Sequence, residues 1–101
     1  MWLFAMFDLP VVEAHQKKAY TKFRKALLAS GFEMLQYSVY GRFCPSEESA
    51  ETYRRRLRAL LPEEGQVRLL RVTDRKFAGM EVYTEGKQGE AESEPQQLLL
   101  F

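Results

Sequence analysis

At 101 residues the chain is long enough for one modest hydrophobic core with little stability to spare, so a single small domain helped by oligomerisation is expected. Its composition, 46% hydrophobic and 29% charged, is that of an ordinary globular protein, and 15 basic against 14 acidic side chains name no partner. The distribution says more: residues 1–61 carry ten Lys/Arg against six Asp/Glu, whereas residues 85–101 carry one Lys against four Glu, a basic body with an acidic tail.

The chain opens MWLFAMFDLP. Trp2 to Phe7 is short and continuously apolar, which suits a strand buried on both faces and therefore central in its sheet. Asp8 stands where that strand stops, and Pro10 prevents the ladder from continuing. The run lacks a basic leader and is too short for a signal segment, and no apolar stretch is long enough to span a bilayer. With a single cysteine, Cys44, which fits a reducing compartment and reads as a packed small hydrophobe, a cytoplasmic protein with no membrane partner is expected.

From about Val12 to Ser30 the period becomes helical, with Ala19, Tyr20, Phe23, Ala26 and Leu27 on one side and Gly31 as the stop. Lys18, Lys22 and Lys25 fall at i, i+4 and i+7, and Lys17 with Arg24 forms a further seven-residue pair beside them, so one flank is strongly positive. Phe32 to Leu35 and Ser38 to Phe43 read as strands, either a tight pair or one bent strand. Ser46 is the expected N-cap of a second helix, with Glu47 and Glu48 complementing its dipole, and Ala50, Tyr53, Leu57, Leu60 and Leu61 as its apolar stripe. Pro62 and Gly65 end it, and most of Arg54, Arg55, Arg56 and Arg58 face outward.

Gln66 to Thr73 reads as a further strand and Met80 to Tyr83 as a short additional one. Residues 84–95, TEGKQGEAESEP, have no apolar periodicity and read as a flexible acidic linker between a domain at 1–83 and an abruptly apolar end, QQLLLF at 96–101. The order β-α-β-β-α-β is that of the ferredoxin-like α+β fold, an antiparallel four-stranded sheet with both helices on one face. The other face then needs a cover, and a second copy of the molecule is the simplest one, so a homodimer is expected.

Three features carry chemistry. A carboxylate at a sheet rim can ligate a hard cation such as Mg2+ without the desolvation cost of the core, and a two-fold axis nearby would bring two copies of Asp8 to one ion; the plainer role for Asp8 is to cap the following helix or turn. The basic flank of the first helix, Lys17, Lys18, Lys22, Arg24 and Lys25, matches what a phosphate backbone requires, although charge runs on helices are also ordinary solvated faces. Base reading by the sheet is disfavoured, because YGRF at 40–43 is only a loose echo of the stacking signature of RNA-binding sheets. His15 reads as an exposed residue of the first helical turn, with phosphate contact as a second role. Leu98, Leu99, Leu100 and Phe101 would be an aggregation liability unless they dock, either as a strand on a partner or back onto this domain.

FDLP at 7–10, KKAYTKFRKALLASGF at 17–32, QYSVYGRF at 36–43 and TDRKFAGM at 73–80, in that order, closely resemble the family of the small CRISPR-associated adaptation protein Cas two, with type II members the most similar. The resemblance implies a ferredoxin-like homodimer that bridges two dimers of the integrase Cas one, holds a double-stranded protospacer and serves its insertion into the CRISPR array. It makes Asp8 the family's metal-binding acid, with Mg2+ as its ion, and makes the C-terminal segment a β-type contact with the integrase. Two rival readings stand beside it. One is a stand-alone magnesium-dependent endoribonuclease or endonuclease whose catalytic residue is Asp8 from both protomers. The other is an interaction module, since QQLLLF also looks like the Gln-Leu-rich peptides that bind the replication sliding clamp.

Overall fold

A strand that is apolar on both faces needs neighbours on both edges and cover on both sides, and the first strand has the neighbours. The computed structural model describes residues 1–95, in the order β1 (Trp2–Asp8), α1 (Ala14–Ala29), β2 (Glu33–Gln36), β3 (Val39–Phe43), α2 (Glu47–Arg58), β4 (Gln66–Val72), α3 (Asp74–Ala78), β5 (Val82–Thr84) and β6 (Lys87–Gly89). The docking segment expected at Leu98, Leu99, Leu100 and Phe101 lies outside the described residues. Among the described residues no helix is long and apolar enough to cross a membrane.

The main sheet has four strands in the order β2-β3-β1-β4, antiparallel throughout, as the α+β reading requires. β1 pairs with β3 from Trp2↔Phe43 to Met6↔Val39 and with β4 from Trp2↔Val72 to Asp8↔Gln66. β2 and β3 are the tight pair: Tyr37 and Ser38 join them, Ser38 adopts φ 63°, and the register shifts between Met34 and Gln36.

Alternation along β1 divides the molecule. Leu3, Ala5 and Phe7 are buried under the two helices with Phe23, Leu27, Tyr40, Ala50 and Leu57, and this is the core. Trp2, Phe4, Met6 and Asp8 point the other way. At one end of that second face α3 supplies a plug, because the Phe77 ring stacks on Trp2 with centroids 3.9 Å apart and meets Phe4 edge-on at 5.8 Å. Beyond the plug the face is open, with Phe4, Met6, Leu35 and Val39 half-buried and Leu70 50% exposed.

Local signals set the helices. Gln16 starts α1 by reaching back to accept from the amides of Val12 and Glu13, at 3.1 and 2.9 Å. Ser46 caps α2 as expected, accepting from Ser49 N at 3.1 Å. That helix ends at Arg58, so Leu60 and Leu61, expected on its stripe, stand past its end and are 42% and 43% exposed. Thr73 caps α3, a short helix with no counterpart among the predicted elements, by accepting from Lys76 N at 3.2 Å.

The acidic segment differs from expectation. Within 84–95, read as linker, β6 pairs antiparallel with β5, and the short strand expected at Met80 to Tyr83 belongs to this separate hairpin. Its turn is Glu85-Gly86 with φ of 52° and 76°, the left-handed pair that a two-residue hairpin loop demands.

Candidate functional site

Asp8 is held at the rim by its neighbours rather than by its own side chain. Its backbone pairs with Gln66, and Gly65 packs against its carbonyl so closely that a Cβ there would lie 2.6 Å from the Asp8 oxygen and 2.8 Å from Leu9 Cδ2. With φ +87°, Gly65 is a position where only glycine is free of strain, and it fixes how β1 ends. Ser38 closes the other side, its carbonyl accepting from Phe7 N at 3.1 Å.

The capping role for Asp8 does not hold, because Glu13 and Gln16 provide the start of α1. Asp8 is exposed and enters none of the ion pairs among the described residues. With Met6, Ser38, Val39, Gln66 and Arg68 it lines a shallow cavity of about 230 Å³ on the open face. Among the described residues no three His, Cys, Asp or Glu side chains gather as a metal centre. The donor set of this chain therefore fits only the type of Mg2+ site in which one or two carboxylates hold the ion while waters and phosphate oxygens complete its shell.

The predicted basic flank divides. Lys17, Lys18, Lys22 and Lys25 border one exposed surface together with Thr21, on the side of α1 away from the sheet. Arg24, also exposed, lies nearer the sheet and donates its Nε–H to the buried Tyr40 hydroxyl at 3.0 Å. Asp8 and the lysines thus lie on different surfaces, the first at the rim of the open face and the second on the helical layer.

The α2 arginines are partly structural. Arg54 pairs with Glu51 at 2.6 Å, Arg71 of β4 pairs with the same carboxylate, and Arg55, one turn along α2 from Glu51, stands at 4.0 Å. The hydrogen bond from Arg54, followed by the charges of Arg54, Arg71 and Arg55, holds the Glu51 carboxyl down at about 2. Arg42 and Arg56 lie over the Tyr53 ring, 4.0 and 5.0 Å from its centroid.

His15 is also tied down: its Nε2 lies 2.9 Å from Glu64, and the Gln16 amide donates to the other Glu64 oxygen at 2.8 Å. These bonds, Gln16 first, lower the Glu64 carboxyl from its ordinary value and clasp the start of α1 to the loop before β4. Sequence reasoning missed this clasp, for which Pro62 and Gly65 around Glu64 signal only a turn. Cys44 is fully buried, as expected, and burial pushes its thiol up.

The class so defined is a small α+β protein with a β-α-β-β-α-β core, one sheet face covered by helices, the other largely open, and a lone carboxylate at the open rim. The family model described as "CRISPR associated protein Cas2" matches residues 1–80, which covers β1 through α3. A relative from Parvibaculum lavamentivorans named "CRISPR-associated endoribonuclease Cas2" is 48% identical over 101 residues, the whole of both chains. Relatives of the same name from Flavobacterium psychrophilum and Streptococcus mutans are 42% and 37% identical across the whole of this chain, covering 88% and 92% of their own lengths. The chain belongs to the Cas2 family.

Proposed function

We propose that this protein is the adaptor subunit of CRISPR spacer acquisition: a homodimer that bridges dimers of the integrase Cas one and binds the backbone of a double-stranded protospacer. The observation that carries this reading is the open half of the sheet, where Phe4, Met6, Leu35, Val39 and Leu70 form an apolar surface on a domain too small to leave it unused. A second copy seated there makes an isologous contact and turns the two α1 layers outward, so that Lys17, Lys18, Lys22 and Lys25 of each protomer face opposite ends of the particle. Two separated basic surfaces on one rigid body suit a long duplex better than a compact substrate. The likeness of the α1 and TDRKFAGM segments to type II members supports placing the protein in such a system.

A second reading is favoured by the exposed Asp8 and by the name its relatives bear. In it the same dimer is a magnesium-dependent endoribonuclease, with Asp8 from both protomers holding the ion. The bound Mg2+ would supply charge stabilisation at a phosphodiester. Within the protein, Gly65 and Ser38 fix the place of Asp8 at the rim.

The deciding experiment is light-scattering mass after gel filtration of this protein mixed with its cognate integrase and a short duplex, the full-length chain being compared with one ending at residue 95. An assembly larger than either component that is lost when Lys17, Lys18, Lys22 and Lys25 are all made Ala supports the adaptor. No joint assembly, together with RNA cleavage that needs magnesium and disappears in Asp8→Ala, leaves the nuclease as the account.

A further inference from the structure

We propose that Arg68 forms, beside Asp8, a subsite for one phosphodiester group of a nucleic acid. This inference rests on the reading that nucleic acid reaches the Asp8 rim, and it adds the residue that would neutralise the phosphate there.

β4 alternates, so Gln66, Arg68 and Leu70 share the open face while Val67 and Leu69 pack against the helix side. Asp8 pairs with Gln66 and Met6 pairs with Arg68, which makes Arg68 the diagonal neighbour of Asp8, with Cα atoms about 7 Å apart. Both border the same cavity of about 230 Å³, with Ser38 on its far side.

The other arginines of the sheet, and Arg24 of α1 and Arg54 of α2 that face it, have partners. Arg71 and Arg54 meet Glu51, Arg42 donates to the Tyr53 hydroxyl at 2.6 Å, and Arg24 donates to Tyr40. Arg68 is exposed and enters no ion pair among the described residues. A guanidinium on an apolar face becomes costly once that face is closed, unless an anion meets it. Asp8 alone would satisfy it, but then neither group would serve a ligand. A phosphodiester group between them satisfies Arg68 by accepting two parallel N–H bonds on its two non-bridging oxygens, and its charge is unfavourable beside Asp8 without that cation.

The test measures anisotropy of a short fluorescent RNA and of a short duplex with the full-length chain, over a salt series, first in EDTA and then in Mg2+. In EDTA, Arg68→Ala is expected to weaken binding of at least one probe about fivefold and to flatten its log K against log salt slope by about 0.7 to 0.9, one phosphate contact. Arg68→Lys should restore the slope and only part of the affinity, because an ammonium lacks the paired donors. Arg55→Ala, an equal charge lost from α2, should leave the effect of Arg68→Ala unreproduced. Asp8→Asn should tighten binding in EDTA by removing repulsion. If Asp8→Asn changes binding and Arg68→Ala does not, the rim binds nucleic acid and Arg68 is not its phosphate ligand. If neither variant changes binding, nucleic acid does not reach this rim and the reading beneath the proposal fails as well. If Arg68→Ala changes particle mass in light scattering and Arg68→Lys repairs mass without changing the slope, Arg68 is an interface residue and the proposal is overturned.

Discussion

The two faces of the sheet are made by one strand and have opposite fates. On the covered face of β1, Leu3 and Ala5 have no accessible surface; one residue along and out of phase, Phe4 and Met6 stay half-buried and the β4 neighbour of Phe4, Leu70, is 50% exposed. The hydrophobicity is the same on both sides, so composition does not distinguish a face that folds the chain from one kept for something else. Helix placement does: both long helices lie on one side, and the other receives only the five-residue α3 plug at Trp2.

The sharpest probe of this contrast is a matched pair of truncations. Leu27→Ala, at a fully buried position of the covered face, should cost about 3 kcal/mol in chemical denaturation. Leu70→Ala should cost less than about 1 kcal/mol at low protein concentration. If its cost rises with protein concentration, a second copy covers the open face; if it stays flat across a hundredfold range, the face is open in solution.

Gly65→Ala should come next, at about 2 kcal/mol, because its backbone is left-handed and the added methyl meets the Asp8 carbonyl. It acts at the open rim, so hydrogen exchange should rise first at the Asp8 end of β1, and a loss uniform over the sheet would argue against a local role. Ser46→Ala removes the cap of α2 on the covered side and should cost about 1 kcal/mol, or roughly 5 °C in Tm.

The smallest expected effect concerns Glu51, which ties α2 to β4 across the covered face. Its carboxyl titrates at about 2 in the folded chain against an ordinary 4.5, so the stabilisation is present above 4.5 and is lost as pH falls through that window towards 2. Glu51→Gln should therefore flatten the acid limb of a stability profile between those values. An unchanged limb would mean that the Arg54 and Arg71 contacts are replaced by water at no cost.

Where local pattern and tertiary context agree, the elements were legible. The double-faced apolar run of β1, the period of α1 and the Ser46 cap each name their element without help. The same reasoning failed where two signals share an alphabet: Glu and Gly in TEGK satisfy both a linker and a type I′ hairpin turn, and three-residue strands leave no periodicity to choose between them. Asp8 was legible as a rim acid because Pro10 marks the strand's end. Arg68 was not, since a basic residue in an alternating strand looks solvated until pairing sets it diagonal to that acid. Arg24 looked like one more member of the lysine flank, and only the fold shows its Nε bonded to Tyr40.

The burial of Cys44 has a practical consequence. It is the chain's single thiol, enclosed at the end of β3 with its ionisation pushed up, and so poor in the thiolate that alkylating reagents require. The natural sequence is in effect already a silent background for site-directed labelling. One cysteine introduced at Thr21 on the helical layer, or at Leu70 on the open face, would carry a spin label or fluorophore alone, and the distance between two such labels would report which faces of two molecules meet.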